Sequence, residues 1–359
     1  MQIYKYVIKI SKFANMKNNA FFLFLFSIFI FSCNTDFDIN AEWEEVTVVF
    51  GLLDQNQDKQ YIRINKAFLG DESAIVMASV ADSINYNPEN LEVKIQKVTY
   101  DNLGNYNLIS EKILRDTIMY KEDGIFSADE NIIYVFDTDN FLAEGKNYLL
   151  VVTNLITGKV ITGQTELIHE LSLMSSFNNP AYKMGFFSQT GEFSTTTIEW
   201  DHAKNAAIYQ LTMFLNYTEY GVQDTVEKTI SKIFPVVQYN GNSQMSQKIT
   251  GEEFFSFIRN SIDPEDSNVQ YRRVNDIDLL FSVGTIDLQT YINLNEPPTG
   301  IVQERPLFTN ITNGIGLFSA RYNKIQGNIL LTNTTKQAIA NQTDLINDPN
   351  PPSSNFIFP

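Results

Sequence analysis

The sequence predicts a mainly β protein: two β-sandwich domains in tandem, the second carrying one inserted helix, behind a short N-terminal leader. Three observations carry that expectation. Apolar and polar residues alternate with period two in many short runs, separated by glycine- and asparagine-containing turns. Only one segment combines a helix-start signal with helical spacing of apolar residues. Beyond residue 33 there is no cysteine, so both domains rest on apolar cores without disulfides.

The leader comes first. Lys5, Lys9, Lys12 and Lys17 precede an apolar run over residues 21–31 that ends in Ile30-Phe31-Ser32-Cys33. A cationic segment, a short apolar stretch and a small residue before the cut make a secretory signal. The run is short of the roughly 20 apolar residues that a membrane-spanning helix needs. Cys33, the only cysteine among 359 residues, stands where a bacterial lipobox puts its lipid acceptor. The expectation is a signal peptide over 1–32, lipidation at Cys33 and a tether over 33–42, with Met16 as an alternative start. Asp36 and Asp38, just behind the cysteine, resemble the signal that sends Bacteroidetes lipoproteins to the outer face of the outer membrane.

The first sandwich is expected over 43–168. Strands run from Val46 to Leu53 and from Gln60 to Phe68, with a polar turn between them. Asp54, Asn56 and Asp58 begin like a calcium loop, but Lys59 replaces its glycine and Asn65 its bidentate glutamate, so the segment reads as a hairpin turn. Residues 70–90 read as a long loop with a helical turn near 74–80. Leu91, Val93 and Ile95 alternate until Val98 breaks the period. Further strands are expected over 106–115, 132–137, 147–153 and 159–166. Tyr148, opening an apolar strand, resembles the tyrosine that ties down a corner in immunoglobulin- and fibronectin-like sandwiches.

Residues 167–180 form the crossing to a second β-rich domain over 181–331. There Trp200 ends one strand, and an alanine-containing turn leads to a second strand through Tyr209. This resembles the B–C hairpin of fibronectin type III domains, with the indole in the core. Residues 225–237 supply the strand paired to the second. Thr250 as N-cap and Glu253 three residues on open a helix near 251–262, with Phe254, Phe257, Ile258 and Ile262 on one face. Another strand covers 276–283. The Asn-, Thr- and Pro-rich residues 332–359 read as a loose tail.

Chemistry leaves few marks. With 26 basic and 42 acidic residues, the net charge of −16 gives nucleic-acid binding no electrostatic support. His169 and His202 lie on different elements without metal-ligand spacing. No nucleophile elbow marks a serine, and no carboxylate pair stands out for glycoside cleavage. Gly314 and Gly316 lack the third glycine and the helix of a dinucleotide site. No catalytic, cofactor or metal residue is therefore expected. Asp82-Ser83-Ile84, Asp116-Thr117-Ile118 and Asp224-Thr225-Val226 resemble Bacteroidetes O-glycosylation sites.

The segment over 295–321 is the most idiosyncratic, and within it lies the run over 308–321, rich in Asn, Thr and Gly. Together with the lipobox and the run Arg63-Ile64-Asn65-Lys66-Ala67-Phe68, it resembles a family of uncharacterised Bacteroidetes outer-membrane lipoproteins. The resemblance implies no enzymatic activity. It implies a place at the outer membrane, often in the company of TonB-dependent receptors. Arg305, Asn310, Asn313, Gly314, Gly316 and Arg321 are candidate partner-binding residues; the alternatives are that Arg305 and Arg321 pair with acids of the chain itself and that Gly314 and Gly316 serve positive φ or close backbone approach. The expected protein is a non-enzymatic lipoprotein facing the cell exterior, a binding or accessory subunit for a β-barrel partner. A glycan- or nutrient-binding surface lipoprotein is the alternative, and an extracellular hydrolase the third.

Overall fold

In the computed structural model, residues 46–67, 84–120, 131–263, 266, 268–296, 307–341 and 356–358 are described. The leader, Cys33, Arg305 and most of the 70–90 loop lie outside them.

The chain is mainly β, with strands gathered in several sheets. In its first half, β1 (Val46–Leu53), β2 (Lys59–Ala67), β5 (Arg115–Ile118) and β6 (Ile132–Asp137) face β3 (Leu91–Tyr100), β4 (Tyr106–Ile113), β7 (Asn147–Asn154) and β8 (Val160–Glu166). Alternation dictates this layering: Val49, Ile62, Ile64 and Phe136 point inward from one sheet, and Val93, Ile95, Leu150 and Val152 from the other. The expected hairpin joins β1 and β2. The broken period at Val98 is a register shift against β4 between Lys97 and Val98. Tyr148 is buried, and its hydroxyl donates to the Phe141 carbonyl at 2.9 Å while accepting from the Ala143 N–H at 2.9 Å.

The second half pairs β10 (Thr195–Asp201) with β14 (Gln244–Thr250), and β11 (Ile208–Gly221) with β12 (Thr225–Ile233) and β15 (Val269–Gly284); of the two-residue strands, β13 (Val237–Gln238) pairs with β11, β16 (Ile311–Thr312) with β8, and β9 (Lys183–Met184) with β17 (Ile315–Leu331). Trp200 is 1% exposed, against Tyr209 and Phe281 at ring distances of 5.6 and 5.5 Å. The expected hairpin between its strand and the next does not form; β10 and β11 lie in different sheets. Helix α1 (Gly251–Ser261) starts as read, with the Thr250 hydroxyl accepting from the Glu253 N–H at 3.2 Å. Glu253 does not complete the box, because its carboxylate turns to Lys232 at 3.1 Å. Phe254 stacks on Phe186 at 3.9 Å.

Two helices were not expected. Helix α2 (Ile286–Asn295), capped by Thr285, buries none of its residues, so it left no apolar stripe to read. Helix α3 (Asn333–Ala340) corrects the loose tail over part of 332–359: Thr332 caps it, and Thr335, Ala338 and Ile339 are buried. Phe356, also buried, bridges in parallel to Arg272 on β15.

The strand that joins the halves is β17 (Ile315–Leu331). Ile315–Ala320 run parallel to β1, while Arg321–Ile329 run antiparallel to β15. Consequently Phe318 and Ala320 belong to the first core, and Tyr322, Ile329 and Leu331 to the second. One ten-stranded sheet thus passes through both cores.

Candidate functional site

The described members of the candidate partner-binding set are engaged in holding β17 in place. Asn310 donates to the Asp287 carboxylate at 2.9 Å and to the Phe318 carbonyl at 2.8 Å, and its Oδ1 accepts from the Phe318 N–H. Asn313 has a φ of 59° and donates to the Val160 carbonyl at 2.9 Å. Gly314 is packed so that a side chain would meet the Thr47 carbonyl oxygen, and Gly316, with φ +116°, has the Val49 carbonyl where a Cβ would go. The glycines let β17 approach β1, which is a backbone requirement.

Arg321 reaches back to Asp54, 3.7 Å from Nε to Oδ2. Asp54 is fully buried at the start of the β1–β2 turn. Its carboxylate also accepts from Asn323 Nδ2 at 2.6 Å and from the Asn56 N–H at 3.0 Å. Gln60 clamps the backbone beside it, accepting from the Asp54 N–H at 2.9 Å and donating to the Asp54 carbonyl at 2.7 Å. Burial pushes the Asp54 carboxyl above its ordinary value of 3.8, against the opposing hydrogen bonds and the Arg321 charge. The unfolded chain then releases this proton first as pH rises, so ionisation of Asp54 subtracts stability from pH 4 upward. The expected result is that the wild-type advantage over Asp54→Asn shrinks between pH 3.5 and 7 in urea unfolding. An advantage that grows over that window contradicts the raised carboxyl.

The two histidines do not meet. His202 stacks on Tyr239 with ring centroids 3.5 Å apart, and its Nδ1 is 2.9 Å from the Tyr209 hydroxyl. His169 packs against Gly145 with its Nε2 buried. Among the described residues, no group of three His, Cys, Asp or Glu side chains is placed to hold a metal ion.

Two surfaces remain that no part of the sequence singled out. The first is a cleft of about 560 Å³ beside β3 and the β7–β8 turn, lined by Asn87, Asn90, Asn154, Thr157, Pro88 and Ile156 among others. The second is the outer edge formed by β4 and β5, which are joined through Leu114. Every residue of β4 except Lys112 is exposed, including Tyr106, Leu108, Ile109 and Ile113. Ile118, Met119 and Tyr120 continue the apolar surface along β5 and just past it. Among the described residues both strands end their sheets, so each has a row of backbone groups that no described strand pairs. Sequence reading registers β4 as an ordinary alternating strand. Which strand lies at an edge is a property of topology.

No family model matches the chain, and no curated protein matches it. Among solved structures, a chain of a cytokine receptor complex is similar at 8% identity over 78% of this chain and 96% of its own, with a TM-score of 0.20. The C-terminal globular domain of an oligosaccharyltransferase from Pyrococcus abyssi is similar at 10% identity over 67% of this chain, with a TM-score of 0.22. This chain spans 46% of that domain's length. At these scores neither likeness bears on fold or function.

Proposed function

We propose that this chain is a non-enzymatic lipoprotein of the outer membrane, anchored through Cys33 and facing the cell exterior, that serves as a binding or accessory subunit of a membrane β-barrel assembly. The observation that carries the binding role is the exposed apolar edge of β4 and β5. Surface hydrophobics scattered singly need no explanation, but a contiguous group at a sheet edge is suited to accept a partner strand. The anchor rests on the lipobox and the cationic apolar leader. No helix among the described residues is long and apolar enough to cross a membrane.

Within this reading the body is two immunoglobulin- or fibronectin-like sandwiches in tandem. The Tyr148 corner supports that reading for the first, and buried Trp200 between two sheets supports it for the second.

The test is purification of the tagged, lipidated chain from its own outer membrane in mild detergent. A stoichiometric β-barrel partner is expected to survive salt washing. Leu108→Glu with Ile113→Glu is expected to reduce its recovery at least tenfold while leaving the thermal midpoint unchanged. Recovery of the chain alone, or a partner indifferent to the edge variant, defeats the proposal.

A further inference from the structure

The cleft beside β3 has a hydrogen-bonding pattern that the fold does not use. Asn154 ends β7 and is 7% exposed. Its Oδ1 accepts from the Ile156 and Thr157 N–H groups at 2.9 and 3.1 Å, which fixes the amide orientation and leaves Nδ2 without a partner among the described residues. Asn87 repeats the arrangement on the opposite wall: its Oδ1 accepts from the Glu89 N–H at 3.1 Å, leaving its Nδ2 unpartnered. The Thr157 hydroxyl oxygen accepts from the Lys159 N–H at 3.3 Å, so its hydrogen is what it can still offer. Three lining side chains thus have their oxygens engaged by backbone turns and carry N–H or O–H groups that those turns do not use. Asn90 adds a carboxamide with both functions unassigned.

The walls are pre-set. The Leu155 N–H donates to the Asn90 carbonyl at 2.8 Å, locking the β7–β8 turn onto the Pro88–Asn90 turn. Pro88 and Ile156 supply apolar surface beside the donors. Among the described residues no carboxylate lines this cleft, and Lys66, over the Tyr86 ring, is the cation beside it.

We infer that the cleft binds a saccharide. The ligand must present several acceptor oxygens within a compact volume and C–H faces for Pro88 and Ile156, which describes a sugar ring with its hydroxyls. An extended peptide presents donors and acceptors in alternation and fits an array of donors poorly. The volume lies within the roughly 300–1,000 Å³ of small-molecule sites. This inference is independent of the accessory role, because the cleft and the β4–β5 edge share no residue.

The full lipidated chain in detergent micelles is to be titrated calorimetrically with gluco-, manno-, galacto- and xylo-hexaose, and with lipopolysaccharide purified from the same cell. Binding of at least one probe is expected; a free hexaose points to captured glycan, and lipopolysaccharide to the cell's own surface. Asn154→Asp and Asn87→Asp keep the oxygen that each turn requires and replace the donor with an anionic oxygen. Each is expected to weaken binding at least tenfold with an unchanged thermal midpoint, and Asn90→Ala to weaken it without touching either turn. Absence of binding to every probe, or binding indifferent to all three variants, overturns the inference.

Discussion

Glu219→Gln is expected to destabilise the chain by about 3–5 kcal/mol, the cost of breaking a buried ion pair by neutralising one member. The other member is Arg272, 1% exposed on β15. Its Nε donates to Glu219 Oε1 at 2.8 Å, and Nη2 donates to the Asp263 carbonyl at 3.1 Å. An arginine cannot escape by losing its proton, so neutralising Glu219 takes away the carboxylate that the buried Nε meets. The glutamate is anchored twice, because Lys228 meets its second oxygen at 2.5 Å. Burial pushes the Glu219 carboxyl up, but the hydrogen bonds of Lys228 and Arg272 outweigh it and hold the group below its ordinary value of 4.5. Its contribution is therefore present above that pH and disappears as pH falls through the lowered value. The double variant Glu219→Leu with Arg272→Met removes both charges and is expected to recover most of the loss, as apolar replacement of buried pairs does elsewhere. Urea unfolding of the wild type and the two variants decides. A single-variant loss under about 1 kcal/mol, or a double variant no more stable than Glu219→Gln, sinks the argument.

The pair also holds an end of the chain. The Arg272 carbonyl accepts from the Ile357 N–H at 3.0 Å, and Phe356 packs edge-on against Tyr217. Nothing in the Pro- and Asn-rich run before Phe356 marks these apolar residues as docked. Only the open stretch of β15, where β17 pairs no further than Ile277, gives them a place.

What the sequence made legible was local. Alternation located β1, β2, β3, β6, β7 and β8, because one face of each is buried and the other is not. Thr250 and the phenylalanines behind it marked α1, since a cap and an amphipathic face are both written in neighbouring residues. Tyr148 and Trp200 were read as buried anchors, and both are. What stayed hidden depends on distant pairing. The Asn–Gly-rich run over 310–316 reads in sequence as a candidate partner-binding segment. Its amides are bonded to Asp287, Phe318 and Val160, and its glycines lie against β1, more than 260 residues away in sequence. The donor array in the cleft was invisible for a related reason: whether an asparagine offers its oxygen or its N–H group depends on which one the neighbouring turn consumes.

Gly316 tests that account of the run. Gly316→Ala is expected to cost on the order of 4 kcal/mol, combining ~1–3 kcal/mol for a side chain at a glycine-only backbone angle with ~1–3 kcal/mol for overpacking. The φ of +116° suits no L side chain well, and the new methyl would overlap the Val49 carbonyl. Neither strand can step aside. Val49 pairs with Gly316 on one side and with Ile64 on the other, and β17 is fixed by its antiparallel pairing to β15 further on. Gly158→Ala is the control for conformation alone, having φ +72° with open space around it; about 1–2 kcal/mol is expected there. Because Phe318 and Ala320 follow Gly316 into the first core and Tyr322 into the second, the loss should appear as one cooperative transition shifted as a whole. If Gly316→Ala lies within about 1 kcal/mol of Gly158→Ala, β17 tolerates displacement from β1 and the shared strand does not tie the two cores together.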